Sequence, residues 1–122
     1  MIQILLHLIG DYLFQNDWMA VNKAQKSERG YIACMVHCMA YTLPFALYYQ
    51  SLPAASIIFG THFLIDKYRL PIYWIKLVNW NWSSGNYGYS DAKPVWMSTW
   101  LFIIVDNIFH LICNYIAITY FL

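Results

Sequence analysis

The chain contains four histidines, His7, His37, His62 and His110, and three of them have an aspartate four positions away. The pairs are His7 with Asp11, His62 with Asp66, and Asp106 with His110. Residues at i and i+4 project from one helix face, so each pair presents an imidazole and a carboxylate together. With five aspartates in the chain, chance supplies three such pairs only roughly a few times in a thousand. Imidazole and carboxylate suit zinc, iron or manganese, and helical bundles build such sites from pairs on facing helices. The expected ligands are His7, Asp11, His37, His62, Asp66, Asp106 and His110, around a divalent metal, zinc first and manganese or iron as alternatives. Seven groups exceed the ligands of one zinc ion. Either two metals bind, or some aspartates orient the imidazole rings. Two other accounts stay open: the pairs form a proton or ion path, or they only hydrogen-bond helices together.

The elements that carry these residues follow from composition. Of the 122 residues, 61% are hydrophobic and 11% charged. A soluble domain carries about 25% charged residues, so this chain lacks the polar surface to cover itself. Its net charge of +1 offers no basic footprint for nucleic acid. Disordered, collagen-like and disulfide-scaffold classes are excluded by the apolar content, five glycines and three cysteines. The expected fold class is all-α: a polytopic membrane protein with four transmembrane helices in a compact bundle, forming one domain over residues 1–122. A span needs about 20 mostly apolar residues. The expected spans are residues 1–18, 31–50, 53–68 and 94–122, with Pro44 and Pro53 punctuating the central hairpin. Residues 71–82, rich in Trp and Tyr, suit an interfacial segment. Residues 83–94, rich in Ser, Gly, Asn and Tyr, read as a loop. Apolar residues run on without alternating, which argues against a barrel.

Charge sets the orientation. Lys23, Lys26 and Arg29 fall between the first two spans, and Lys67, Arg69, Lys76 and Lys93 between the last two. All seven basic residues therefore share one side, which the positive-inside rule makes cytoplasmic, leaving both termini outside. The first segment lacks the basic start and cleavage site of a signal peptide, so it is expected to remain as a helix. With this topology each Asp of the three pairs lies nearer the cytoplasm than its His, as one shared site requires. Every His lies within an expected span, where an ionisable group costs roughly 2.5–3.5 kcal/mol and calls for a function.

Other polar residues carry weaker signals. Gln15 continues the face of Gln3, His7 and Asp11, and either contacts substrate or caps the helix. Lys67 either contacts an anionic group or snorkels to the interface. Cys34, Cys38 and Cys113 read as small buried hydrophobes. No zinc-protease motif, phosphate loop or nucleophile elbow occurs.

The stretches Leu5–Ala20 (LLHLIGDYLFQNDWMA), His62–Lys67 (HFLIDK) and Asp106–His110 (DNIFH), together with His37, resemble domain of unknown function family 3307. That family consists of small integral membrane proteins of bacteria and phages, and the resemblance covers almost the whole chain. Its last motif more often reads DQxxH, so Asn107 is a departure. The resemblance implies a bacterial inner-membrane location and supplies no activity. The chain is also similar to membrane-bound metal-dependent hydrolases in its His/Asp-studded helices, an analogy of fold alone.

The expected function is metal-dependent hydrolysis of a lipid-linked or membrane-bound ester or phosphoester. Asp11, Asp66 or Asp106 would take the proton from water, Gln15 and Lys67 would contact substrate, and the Trp-rich segment would gate lipid access. The alternatives are a non-enzymatic membrane protein whose cluster is a structural staple, and an ion or proton carrier. Membrane lipids are the expected partners, with a homo-oligomer or another membrane protein beside them.

Overall fold

Two serines begin the central helical hairpin. In the computed structural model, which describes residues 1–122, Ser27 accepts a hydrogen bond from Gly30 N and starts α3 (Glu28–Tyr49). Gln50, in the left-handed conformation at φ 51°, ends that helix. Ser51 accepts from Ala54 N and starts α4 (Leu52–Tyr68), with Pro53 in the first turn, where its missing N–H costs nothing. Pro44 lies inside α3, within the span expected over residues 31–50. The last long helix, α6 (Val95–Tyr120), follows Pro94.

The N-terminal segment differs from the single helix expected over residues 1–18. Helix α1 (Ile2–Leu8) passes into a π turn (Ile9–Leu13), closed by Phe14 N donating to Ile9 O, and there it stops. Asn16 then accepts from Met19 N and begins a separate short helix, α2 (Asp17–Asn22). The break has a physical basis: the Asn side chain competes for backbone donors and restarts the helix in a new direction. Gln15 therefore lies past the helix end and does not continue the face of His7 and Asp11.

Helix α5 (Leu70–Asn79) covers most of the segment expected at the interface, residues 71–82, and turns off α4 at Arg69, whose φ is 48°. The loop after it is self-bonded: Asn86 donates to Ser90 O and Lys93 O, and Ser84 Oγ to Tyr89 O. The chain is all-helical, with six α-helices and no strand.

Helix α4 packs against α3 and α6, and α1 packs against the same two. The backbones of α1 and α4 do not approach each other closely, nor do those of α3 and α6, so the four helices stand at the corners of a square with only side chains meeting across the diagonals. α2 lies on α3, and α5 bridges α4 and α6. At one end of the square Leu6, Tyr41, Phe45, Ile58 and Ala117 form an apolar core. The other end is polar inside. Eleven of the 27 buried residues are polar or charged, while Ile32, Met39, Leu43, Leu64, Ile104 and Ile112 are exposed. By length and apolar composition α3 and α6 qualify as membrane spans; α4 has 17 residues and the apolar stretch Ile2–Leu13 is shorter still.

Candidate metal centre

Each corner of the square sends polar side chains to the centre. α1 and its π turn supply His7 and Asp11, α3 supplies His37, α4 supplies His62 and Asp66, and α6 supplies Asp106 and His110. All four histidines are at most 1% exposed, and Asp11 and Asp66 are buried with them. Gly10 permits the approach of the π turn to α3, because a Cβ there would lie 2.7 Å from Tyr41 Cδ2 and 2.9 Å from Tyr41 O.

Four atoms converge: Asp11 Oδ1, His37 Nε2, His62 Nε2 and Asp66 Oδ2. The two ring nitrogens are 2.9 Å apart. His37 Nε2 lies 3.2 Å from Asp11 Oδ1 and 3.1 Å from Asp66 Oδ2. His62 Nε2 lies 3.5 and 3.3 Å from the same two oxygens. A tetrahedral zinc with bonds of about 2.0–2.1 Å has ligand–ligand edges of about 3.3–3.4 Å. The separations of 3.2, 3.3 and 3.5 Å lie close to that length, and those of 2.9 and 3.1 Å fall short of it, at hydrogen-bond distance. The buried His/Asp group can hold a metal ion.

A second group adjoins the first. His110 Nε2 is 3.0 Å from Asp66 Oδ1 and 3.4 Å from Asp106 Oδ2, and Asp11, Asp106 and His110 are also close enough to share an ion. Asp66 thus turns one oxygen toward each group. Asp106 is the most exposed of the three aspartates, with 21% of its side chain open. It lines a cavity of about 220 Å³ together with Lys23, Ile65, Asp66, Arg69 and Phe102.

His7 lies outside both groups. Its Nδ1 is 2.8 Å from Tyr41 Oη and 3.7 Å from Asp11 Oδ2, and its Nε2 is 3.0 Å from Asn107 Oδ1. Asn114 donates to Tyr41 Oη at 2.6 Å, so the hydroxyl can donate onward to His7 Nδ1 and leave Nε2–H for Asn107. The pairs read from the sequence are thus in contact within their helices, but the shorter contacts run between helices. The Nδ1 atoms of His37 and His62 have no hydrogen-bond partner. Packing orients the His62 ring instead: Tyr41 stacks on it at 3.6 Å and His110 at 4.1 Å.

Lys67 is buried, and its ammonium donates to Gln25 O and Lys23 O and sits 3.9 Å from the centre of the Tyr31 ring. It does not reach the cluster. Gln15 contributes nothing to the cluster either, and its Oε1 is buried without a partner. Cys34 and Cys38 face each other at 4.0 Å, and Cys34 also faces Phe63 O, away from the imidazoles.

Sequence reasoning missed Lys23, which it used only for topology. The Lys23 ammonium is 2.7 Å from Asp66 Oδ2 and 3.5 Å from His37 Nε2. Burial alone would make it easier to deprotonate, but the carboxylates of Asp66 and Asp11 outweigh that and hold it above the usual lysine range. No spacing rule could find this contact, because α2 must first fold back along α3. Tyr41 was also missed, as one aromatic among 20% aromatic residues.

A family model described as protein of unknown function (DUF3307) matches residues 1–122. No curated protein and no solved structure matches the chain.

Proposed function

The chain belongs to the DUF3307 family, which carries no assigned activity, and from the geometry of its centre we propose that it is a four-span membrane hydrolase with an intramembrane metal site. The observation that carries this reading is the Asp11–His37–His62–Asp66 quartet, with inter-atom separations of 2.9–3.5 Å. Two nitrogens and two carboxylate oxygens suit zinc first, and manganese or iron next. The two carboxylates would neutralise a divalent ion at a depth where uncompensated charge is expensive.

Asp11, His37, His62 and Asp66 would hold the metal, and the chemistry supplied there would be activation of water as a nucleophile near neutral pH. Asp106 is the proton acceptor in this reading, because it stands outside the quartet and faces the cavity that reaches Asp66. Asp66 and Asp11 would hold the ion, and His110, between Asp66 and Asp106, would orient both carboxylates. The cavity is apolar along Ala20, Val21, Ile65 and Phe102. It therefore suits the ester or phosphoester of a membrane-embedded substrate.

Membrane insertion rests on the inverted distribution of polarity, with polar residues inside and apolar ones outside. α3 and α6 supply two spans. α4 and the shorter α1 complete the square, and α2 and α5 would lie at the cytoplasmic interface. All seven basic residues lie between α1 and the first turn of α3 or between the last turn of α4 and the start of α6, at the end of the bundle away from the apolar core. The positive-inside rule then sets both termini outside the cytoplasm of a bacterial inner membrane.

One observation favours a second reading. Lys23 already pairs with Asp66 at 2.7 Å, so the cluster can balance part of its charge as a packing staple without any metal. Metal analysis of detergent-purified protein separates the two. The hydrolase reading expects one or two equivalents of zinc, manganese or iron, lost in His62→Ala and in Asp66→Ala. Metal-free protein after reconstitution with each ion would leave the staple.

A further inference from the structure

The largest cavity is not at the metal centre. It measures about 530 Å³ and is lined by Lys26, Lys67, Arg69 and Lys76 with Tyr31, Tyr68 and Tyr73. No carboxylate borders it. The absence of acids is informative, because Lys23 is the one basic residue of the chain paired with a carboxylate; Lys26, Arg69 and Lys76 have no such partner. Three separate elements bring the cations together: the link before α3, the end of α4, and α5. Lys67 braces this arrangement, its ammonium tied to Gln25 O and Lys23 O at the floor.

Arg69 gives the cavity its direction. Its left-handed backbone, φ 48°, marks the corner between α4 and α5. Its guanidinium carbon lies 5.1 Å from the centre of the Phe102 ring and 5.5 Å from that of Tyr87. Arg69 also borders the smaller cavity that contains Asp66 and Asp106. Arg69 thus borders both the cationic, tyrosine-lined cavity and the smaller cavity that holds the carboxylates of the candidate centre.

We propose that this cavity, with Lys26, Arg69 and Lys76 as its donors, binds the phosphate of an anionic membrane lipid headgroup and so positions the lipid beside the centre. Guanidinium and ammonium groups recognise phosphate oxygens by charge-assisted hydrogen bonds, and the tyrosine rings give the glycerol region an amphipathic wall. The substrate class this assigns is a phosphate-bearing lipid. The lipid part of the assignment rests on the membrane reading above, and the phosphate part rests on the cavity alone.

The test uses the full chain in detergent, stripped of metal with chelator, and native mass spectrometry of bound lipid. The probes are phosphatidic acid, phosphatidylcholine as a zwitterionic control, and glycerol 3-phosphate as a soluble source of the same phosphate chemistry. Phosphatidic acid is expected to bind at least about tenfold tighter than phosphatidylcholine, and Arg69→Gln with Lys76→Gln to reduce its binding by about tenfold or more. Lys93→Gln removes one positive charge on the same side, against two in the double variant, and Lys93 lines neither cavity, so it is expected to bind as the parent does. Equal losses in Lys93→Gln and the double variant would reduce the effect to general surface charge and overturn the site. Binding of glycerol 3-phosphate as tight as that of phosphatidic acid would overturn the lipid assignment. His62→Ala is expected to retain lipid binding, so failure of the metal reading and failure of this one give different results.

Discussion

The two ends of the same four-helix square are built on opposite chemistry. At one end Leu6, Phe45, Ile58 and Ala117 meet with no polar group among them, and Ile2, Tyr49, Ile57 and Ile118 pack around. At the other end His37, His62, His110, Asp11 and Asp66 meet at hydrogen-bond distance. Apolar packing has no preferred direction and tolerates small slides of one helix along another. A set of ring nitrogens and carboxylate oxygens held at about 3 Å does not, because hydrogen bonds weaken steeply with distance and angle. The apolar end accordingly holds the helices together, and the polar end fixes their rotation and register. Tyr41 belongs to both: its ring packs on Phe45 at 5.5 Å and on His62 at 3.6 Å, and its hydroxyl contacts His7 and Asn114.

Substitutions that act on one end alone test this division. Asp66→Ala should have the largest effect, since Lys23, His37, His62 and His110 all approach that carboxylate. Breaking a buried charged set by removing one member costs about 3–5 kcal/mol, which thermal unfolding in detergent would register together with loss of bound metal. Adding Lys23→Met should recover part of the stability and none of the metal. An unchanged melting midpoint in Asp66→Ala would break the comparison. Phe45→Ala acts at the other end; it should cost about 3 kcal/mol through the void it leaves, with metal stoichiometry intact. Loss of metal in that variant would show that the two ends are not separable. Tyr41→Phe should be smallest, about 1–2 kcal/mol, because it keeps the ring and strands only the polar partners of the hydroxyl. Denaturant unfolding beside metal analysis would place its effect on stability alone.

The polar end was more visible in the sequence than the apolar end. Histidine is scarce here and aspartate nearly so, and a fixed spacing of four survives into the structure as contacts of 3.3–3.7 Å within α1, α4 and α6. That all four histidines share one interior followed from their place along the expected helices. What spacing could not reveal is which contacts cross between helices. His110 is nearer Asp66, at 3.0 Å, than its own helix partner Asp106, at 3.4 Å. The exclusion of His7 from the quartet depends on Tyr41 and Asn107, which reach it from α3 and α6. The first span is expected to reach Trp18, but Gln15, Asn16 and Asp17 interrupt the apolar run, and the Asn16 side chain starts a new helix there. Leu6, Phe45, Ile58 and Ala117 carried no mark at all, since any of the many apolar residues fits an apolar end equally well.

The square also imposes an order in time. Its interior draws on residues 7 and 11, then 37, then 62 and 66, and last 106 and 110. A growing chain that has made α4 but not α6 holds His62 and Asp66 with one wall of the square missing. Neither His110 nor Asp106 has yet arrived to meet Asp66. The interior closes only when α6 docks against α1 and α4. Without α6 the Asp66 carboxylate loses the His110 contact at 3.0 Å, and one side of the polar interior stands open.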